Sequence, residues 1–117
     1  MRSTNAPASR RRRKRFLKAA AGYYGARSRL YRTARETVER SMAMATAHRR
    51  VKKRDFRQLW ITRLSAAARL RGMTYTRLIE GLTKAGVALN RKMLSEIAIH
   101  DPAGFDQIVE LARAHLA

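Results

Sequence analysis

The sequence predicts an all-α protein with three parts: a basic N-terminal helical arm, one very long helix and a small C-terminal helical bundle. Three observations carry this. Residues 26–71 contain no glycine and no proline. The formal net charge of +19 lies wholly within residues 1–72, whereas residues 73–117 balance five basic against five acidic side chains. The neutral part holds three short segments of helical apolar period, each opened by a capping residue. On this reading residues 1–58 are an extended basic arm with most of the long helix. Residues 59–117 are a small globular domain that includes the end of that helix.

The arm opens irregularly over residues 1–8, which are small and polar around Pro7. Ser9 is the expected cap of a helix that starts at Arg10 and runs through Arg11, Arg12, Arg13, Lys14, Arg15 and Lys18. Its only apolar patch is Phe16, Leu17 and Ala20, and Gly22 ends it. Six consecutive cations repel one another, so the segment is expected to be disordered alone and ordered on a partner. Gly22 and Gly25 then allow a change of direction. Between them, Tyr23 and Tyr24 either cover Phe16 or Leu30 locally or pack against sugars or bases.

The long helix is expected over residues 26–71, about 70 Å at 1.5 Å per residue. A globule of this chain length is only about 35 Å across, so its own chain cannot wrap such a helix. Two narrow apolar stripes run along it, first Leu30, Ala34, Val38, Met42 and Ala45, then Phe56, Trp60, Leu64 and Ala67. Glu36 and Glu39 stand four residues from Arg32, Arg40 and Arg35, the spacing of supporting ion pairs. In residues 49–57 all but Val51, Asp55 and Phe56 are cationic, which puts Arg49, Arg50, Lys52, Lys53, Arg54 and Arg57 on every side of the helix. A merely solvated face needs charge on one side only. Charge all round suits a rod set among phosphates, where each contact releases counterions.

Gly72 is the expected stop. Thr74 caps a helix over residues 75–85 with Tyr75, Leu78, Ile79 and Leu82 on one face, and Gly86 ends it. Asn90 caps residues 91–100, with Met93, Leu94, Ile97 and Ala98 apolar. Asp101 followed by Pro102 is the clearest helix start in the chain, leading to a stripe of Phe105, Ile108, Ala112 and Leu116. Three such helices are too few to close a core in 45 residues. The expected missing wall is the end of the long helix, through Trp60 and Leu64 with Phe56.

No run approaches eighteen apolar residues, and no sustained apolar region follows the basic N-terminal cluster, so neither a membrane span nor a secretory signal is expected. There is no cysteine for disulfides or thiolate metal sites. His48, His100 and His115 have no spacing that joins two of them to a carboxylate on one helix face, and the glycines form no phosphate loop. Neither catalysis nor a cofactor is expected. Among binding classes, a membrane-surface helix needs one broad apolar face, which residues 49–57 lack. A DNA-binding protein ordinarily carries its basic residues on a folded domain or beside a leucine zipper. Here the folded part is neutral and no zipper follows, which favours RNA in a large assembly, with a DNA architectural protein as the alternative.

Four separated segments extend this reading: Gly25-Ala-Arg-Ser-Arg-Leu-Tyr-Arg-Thr-Ala34; Lys53-Arg-Asp-Phe-Arg-Gln-Leu-Trp-Ile-Thr-Arg63 with Ala66-Ala-Ala-Arg69; Leu89-Asn-Arg-Lys-Met-Leu94; and His100-Asp-Pro102. In order and nearly end to end, the chain resembles the bacterial large-subunit ribosomal protein twenty family. The resemblance implies an N-terminal extension threaded through 23S ribosomal RNA, a C-terminal helical domain nearer the subunit surface, and a role in early subunit assembly. It implies as partners the large-subunit ribosomal RNA and neighbouring ribosomal proteins in the cytoplasmic ribosome, with no membrane and no homo-oligomer. Some members of the family also bind their own messenger RNA through the C-terminal domain and repress translation. Two stretches depart from the family. Arg2-Ser-Thr-Asn-Ala-Pro7 replaces the usual Val-Lys-Arg-Gly start, and Met42-Ala-Met-Ala-Thr-Ala-His48 stands where tyrosine and more charge are common.

The expected RNA ligands are thus the cations of residues 10–18, then Tyr23, Tyr24, Arg27, Arg29, Arg32 and Arg35, the cluster of residues 49–57, and Arg63. Arginine suits crowded RNA because its planar fork holds phosphate with two hydrogen bonds and stacks on bases. Arg91 and Lys92, beside the free amides of a helix N-terminus, either hold a phosphate or stay in solvent.

Overall fold

The computed structural model describes residues 4–116, and what was expected of residues 1–3 lies outside them. Among the described residues six helices are formed: α1 (Ala6–Ala19), α2 (Ala26–Arg29), α3 (Tyr31–Leu70), α4 (Tyr75–Lys84), α5 (Arg91–His100) and α6 (Pro102–Ala114). There is no strand among the described residues. The all-α class, the long helix and the three C-terminal helices are those the sequence predicts. The chain forms two compact units, Met1–Arg50 and Val51–Ala117, with α3 contributing residues to both.

In the first unit, α1 begins four residues earlier than expected. Asn5 occupies the cap position without a side-chain cap bond, and Pro7 lies in the first turn. Proline has no N–H to lose there and its fixed φ already suits the helix, so it opens α1 rather than interrupting it. Ala20, Ala34 and Val38 are buried together, with Phe16 and Leu17 packed against them. Gly22 and Gly25 both have positive φ, 90° and 61°, which allows the reversal between α1 and α2.

The expected single helix over residues 26–71 is interrupted. Leu30 is extended, with ψ 118°, and separates a four-residue α2 from α3. No glycine, proline or capping side chain marks this break; tertiary packing accounts for it. The change of direction brings Tyr31 edge-on to Phe16, with centroids 6.3 Å apart, and seats Ala34 and Val38 in the small core. Leu30 and Met42, expected on the same stripe, are each 58% exposed.

In the second unit, Leu64 and Ala68 of α3 join Met73, Leu78, Leu82, Leu94, Phe105, Val109 and Ala112 in one core. The end of the long helix does supply a wall, but not with the residues expected. Trp60 is only half-buried and Phe56 is 42% exposed, and neither belongs to this cluster. The wall starts one turn later, at Leu64. The three caps form as the sequence predicts: the Arg77 amide donates to Thr74 Oγ1 (3.4 Å), that of Met93 to Asn90 Oδ1 (2.9 Å) and that of Gly104 to Asp101 Oδ1 (2.9 Å). Each such cap is worth about 1 kcal/mol. Helices α4 and α6 meet where Gly81 lies against the Ala112 backbone, so close that a Cβ at Gly81 would stand 2.8 Å from the Ala112 carbonyl carbon.

Candidate nucleic-acid interface

The basic side chains divide into those that are free and those already engaged. On α1, Arg10, Arg11, Arg12, Arg13, Lys14, Arg15 and Lys18 are all exposed, because Phe16 and Leu17 take up the one face turned to the core. Six consecutive positions at about 100° per residue cover the whole circumference of the helix. Among the described residues none of these cations pairs with a carboxylate. The Arg13 guanidinium stands 5.8 Å from the Tyr31 ring centroid, which steadies it without neutralising it.

Tyr24 is 94% exposed and covers nothing, whereas Tyr23 lines an open cleft with Arg27, Arg40, Met44 and His48. Of the two readings of this tyrosine pair, the local lid fails for Tyr24. Arg29 on α2 is exposed.

The start of α3 is more self-contained. Arg35 Nε donates to Glu39 Oε1 at 2.8 Å, and Arg32 lies 3.8 Å from Glu36. The hydrogen bond and charge of Glu39 raise the Arg35 pKa further above its usual value. These two arginines therefore carry internal counterions, which those of α1 lack. Such exposed pairs contribute only a few tenths of a kcal/mol to the helix.

Further along α3, every residue from 39 to 59 is exposed. Arg49, Arg50, Lys52, Lys53, Arg54 and Arg57 stand within this uncovered stretch, with Asp55 as the one acid among them. Arg49 Nη2 donates to Thr46 Oγ1 at 3.1 Å, and the Lys52 ammonium lies 5.5 Å from the Phe56 ring centroid. Arg63 approaches Glu96 at 3.9 Å. In the bundle, Arg91 Nε donates to Tyr75 Oη at 2.7 Å, so this half-buried arginine ties α5 to α4, while Lys92 is exposed.

Arg71 has a role that no local pattern announces. It forms an ion pair with Asp106, donates to the carbonyls of Ala67 (3.1 Å) and Pro102 (3.2 Å), and lies 4.8 Å from the Phe105 ring centroid. Arg113 in turn donates to the Arg71 carbonyl. These two arginines fasten the α3 C-terminus to α6. A spacing of 35 residues between Arg71 and Asp106 leaves no periodic trace in the sequence.

No group of three potential metal ligands occurs among the described residues, and none of their helices is long and apolar enough to cross a membrane.

Comparison with known sequences places the chain among characterised relatives. The large ribosomal subunit protein bL20 of Thermoanaerobacter sp. strain X514 is 55% identical over 108 residues, covering 92% of this chain and 91% of its own. Its counterpart from Maridesulfovibrio salexigens is 53% identical over 117 residues, the full length of both. That from Syntrophotalea carbinolica is 56% identical over 108 residues, 92% of each chain. The sequence profile of the family described as ribosomal protein L20 matches residues 2–108. With identity of this degree over essentially its whole length, the chain belongs to the ribosomal protein L20 family.

Proposed function

We propose that the protein is a structural constituent of the large ribosomal subunit that binds the large ribosomal RNA and promotes early assembly by neutralising and holding together converging RNA helices. The observation that carries this is the exposure of every residue from 39 to 59 on a helix whose cations point in all directions. A helix without a core face gains little from its own chain, so its partner must supply both cover and negative charge. RNA phosphates supply both, and the counterions they release drive the association.

On this reading residues 1–58 lie among RNA helices as an electrostatic staple that reads no sequence. The neutral domain of residues 59–117 makes the shape-specific contact. Arg10, Arg11, Arg12, Arg13, Lys14, Arg15 and Lys18, then Arg27 and Arg29, and then the cluster of residues 49–57 are the principal phosphate ligands. Arg32, Arg35 and Arg63 contribute once their carboxylate partners yield to phosphate. Lys92 is the freer cation at the start of α5, since Arg91 is occupied by Tyr75.

Co-sedimentation tests the assignment directly. The protein should travel with large subunits and resist stripping by high salt, and loss at moderate salt would refute a buried structural role. Competition of labelled structured ribosomal RNA against duplex DNA at physiological salt separates this reading from an architectural DNA-binding protein. Structured RNA should win.

A further inference from the structure

We propose that Phe56 and Trp60 of α3 form a stacking platform for one unpaired base of the large ribosomal RNA, with Lys52, Lys53 and Arg63 taking the adjoining phosphates. This rests on the ribosomal-RNA reading given above and names a site within it.

The bundle core ends at Leu64, and one and two turns before it two aromatic rings, Trp60 and Phe56, remain outside. Their centroids are 6.2 Å apart at an interplanar angle of 41°, so they lean on one another without covering each other's faces. Phe56 is 42% and neighbouring Leu59 40% exposed. Positions 56, 60 and 63 fall on one helical face, and positions 52 and 53 stand one turn before Phe56 on the same side. The face therefore reads cation, ring, ring, cation along its length. The Lys52 ammonium is already held 5.5 Å from the Phe56 centroid.

An apolar groove of a partner protein covering this face would strip water from cations at both ends without replacing it, which is costly. A nucleotide meets both needs at once. Its base gives the rings a flat partner, and its phosphates give the cations theirs.

Trp60 is the only tryptophan in the chain, so its fluorescence reports on this site alone. Adding a large-subunit ribosomal RNA transcript, with binding followed independently by filter retention, should quench Trp60 emission and shield it from acrylamide. Trp60→Leu should weaken binding by about 5- to 160-fold, the range of one lost base stack, while leaving the slope of log K against log salt unchanged. Trp60→Phe should restore most of the loss. Lys52→Gln should instead lower that slope by about 0.7–0.9. Phe56→Leu is expected to repeat the Trp60→Leu pattern, and it keeps the test open if that variant folds poorly. RNA retained on the filter with Trp60 emission unquenched, or Trp60→Leu binding as tightly as the parent, would overturn the platform alone. Absence of any RNA retention by the parent protein would overturn the ribosomal-RNA reading itself.

Discussion

Gly81→Ala should destabilise the C-terminal unit, although alanine is the better helix former. Gly81 is buried within α4, and a Cβ there would stand 2.8 Å from the carbonyl carbon and 2.9 Å from the Cα of Ala112 on α6. Both are backbone atoms, so no side-chain rotation relieves the clash and the two helices must move apart. Overpacking of this kind costs about 1–3 kcal/mol, or more where the neighbours are rigid. The helix-propensity gain of alanine over glycine returns at most about 1 kcal/mol. Because the obstruction is backbone, Ala112→Gly should not rescue the variant. With three backbone atoms inside 3.0 Å the cost lies at the upper end, about 2–3 kcal/mol, and since for a unit of this size each kcal/mol moves the midpoint by about 4–8 °C, the net loss of about 1–2 kcal/mol lowers Tm by roughly 4–16 °C. Thermal unfolding of the full chain, followed by circular dichroism, reads this. A Tm equal to or above that of the parent would refute the close approach of α4 to α6.

Three further outcomes follow from the division between free and engaged cations. Replacing Arg49, Arg50, Lys52 and Lys53 together by glutamine should lower the salt slope of ribosomal-RNA binding by about 3, from about 0.7–0.9 per lost phosphate contact; an unchanged slope would remove the cluster from the interface. Arg71→Met should do the opposite, costing about 1–2 kcal/mol of stability through its lost hydrogen bonds while leaving the salt slope unaltered. A fall in slope would show Arg71 to be a phosphate ligand. The free protein at low concentration should have less helix by circular dichroism than the structure contains, and should gain ellipticity when RNA is added. Near-complete helicity before addition would refute coupled ordering of the basic segments.

The legible parts of the fold were those decided by neighbouring residues. Thr74, Asn90 and Asp101 mark their helices because each supplies an acceptor to an amide three residues on, an interaction contained in four residues of sequence. Gly72 and Gly86 mark stops in the same local way, with φ of 70° and 69°. The break at Leu30 was not legible, because it is set by where Tyr31, Ala34 and Val38 must go to meet Phe16 and Ala20. Trp60 lies outside the core for a related reason. Its stripe continues in register through Leu64 and Ala67, and periodicity shows which face is apolar but not how far along that face the bundle reaches.

The candidate interface shows the same limit from the side of charge. Composition locates the cations, but which of them remain available depends on partners distant in sequence. Arg71 and Arg113 belong to α6 packing, and Arg91 belongs to Tyr75. Arg35 and Arg32 lie between these cases, since their acids are one turn away and could be anticipated from spacing. The consequence is a gradient of availability. The seven cations of α1 have no carboxylate partner among the described residues, Arg32 and Arg35 at the start of α3 have one each, and Arg71, Arg91 and Arg113 of the bundle are built into its packing. A phosphate approaching α1 displaces only water and counterions, whereas one approaching Arg71 must break an ion pair, two backbone hydrogen bonds and an aromatic contact. Since the salt slope counts counterions released and not charges present, it should track the first group and be nearly blind to the last.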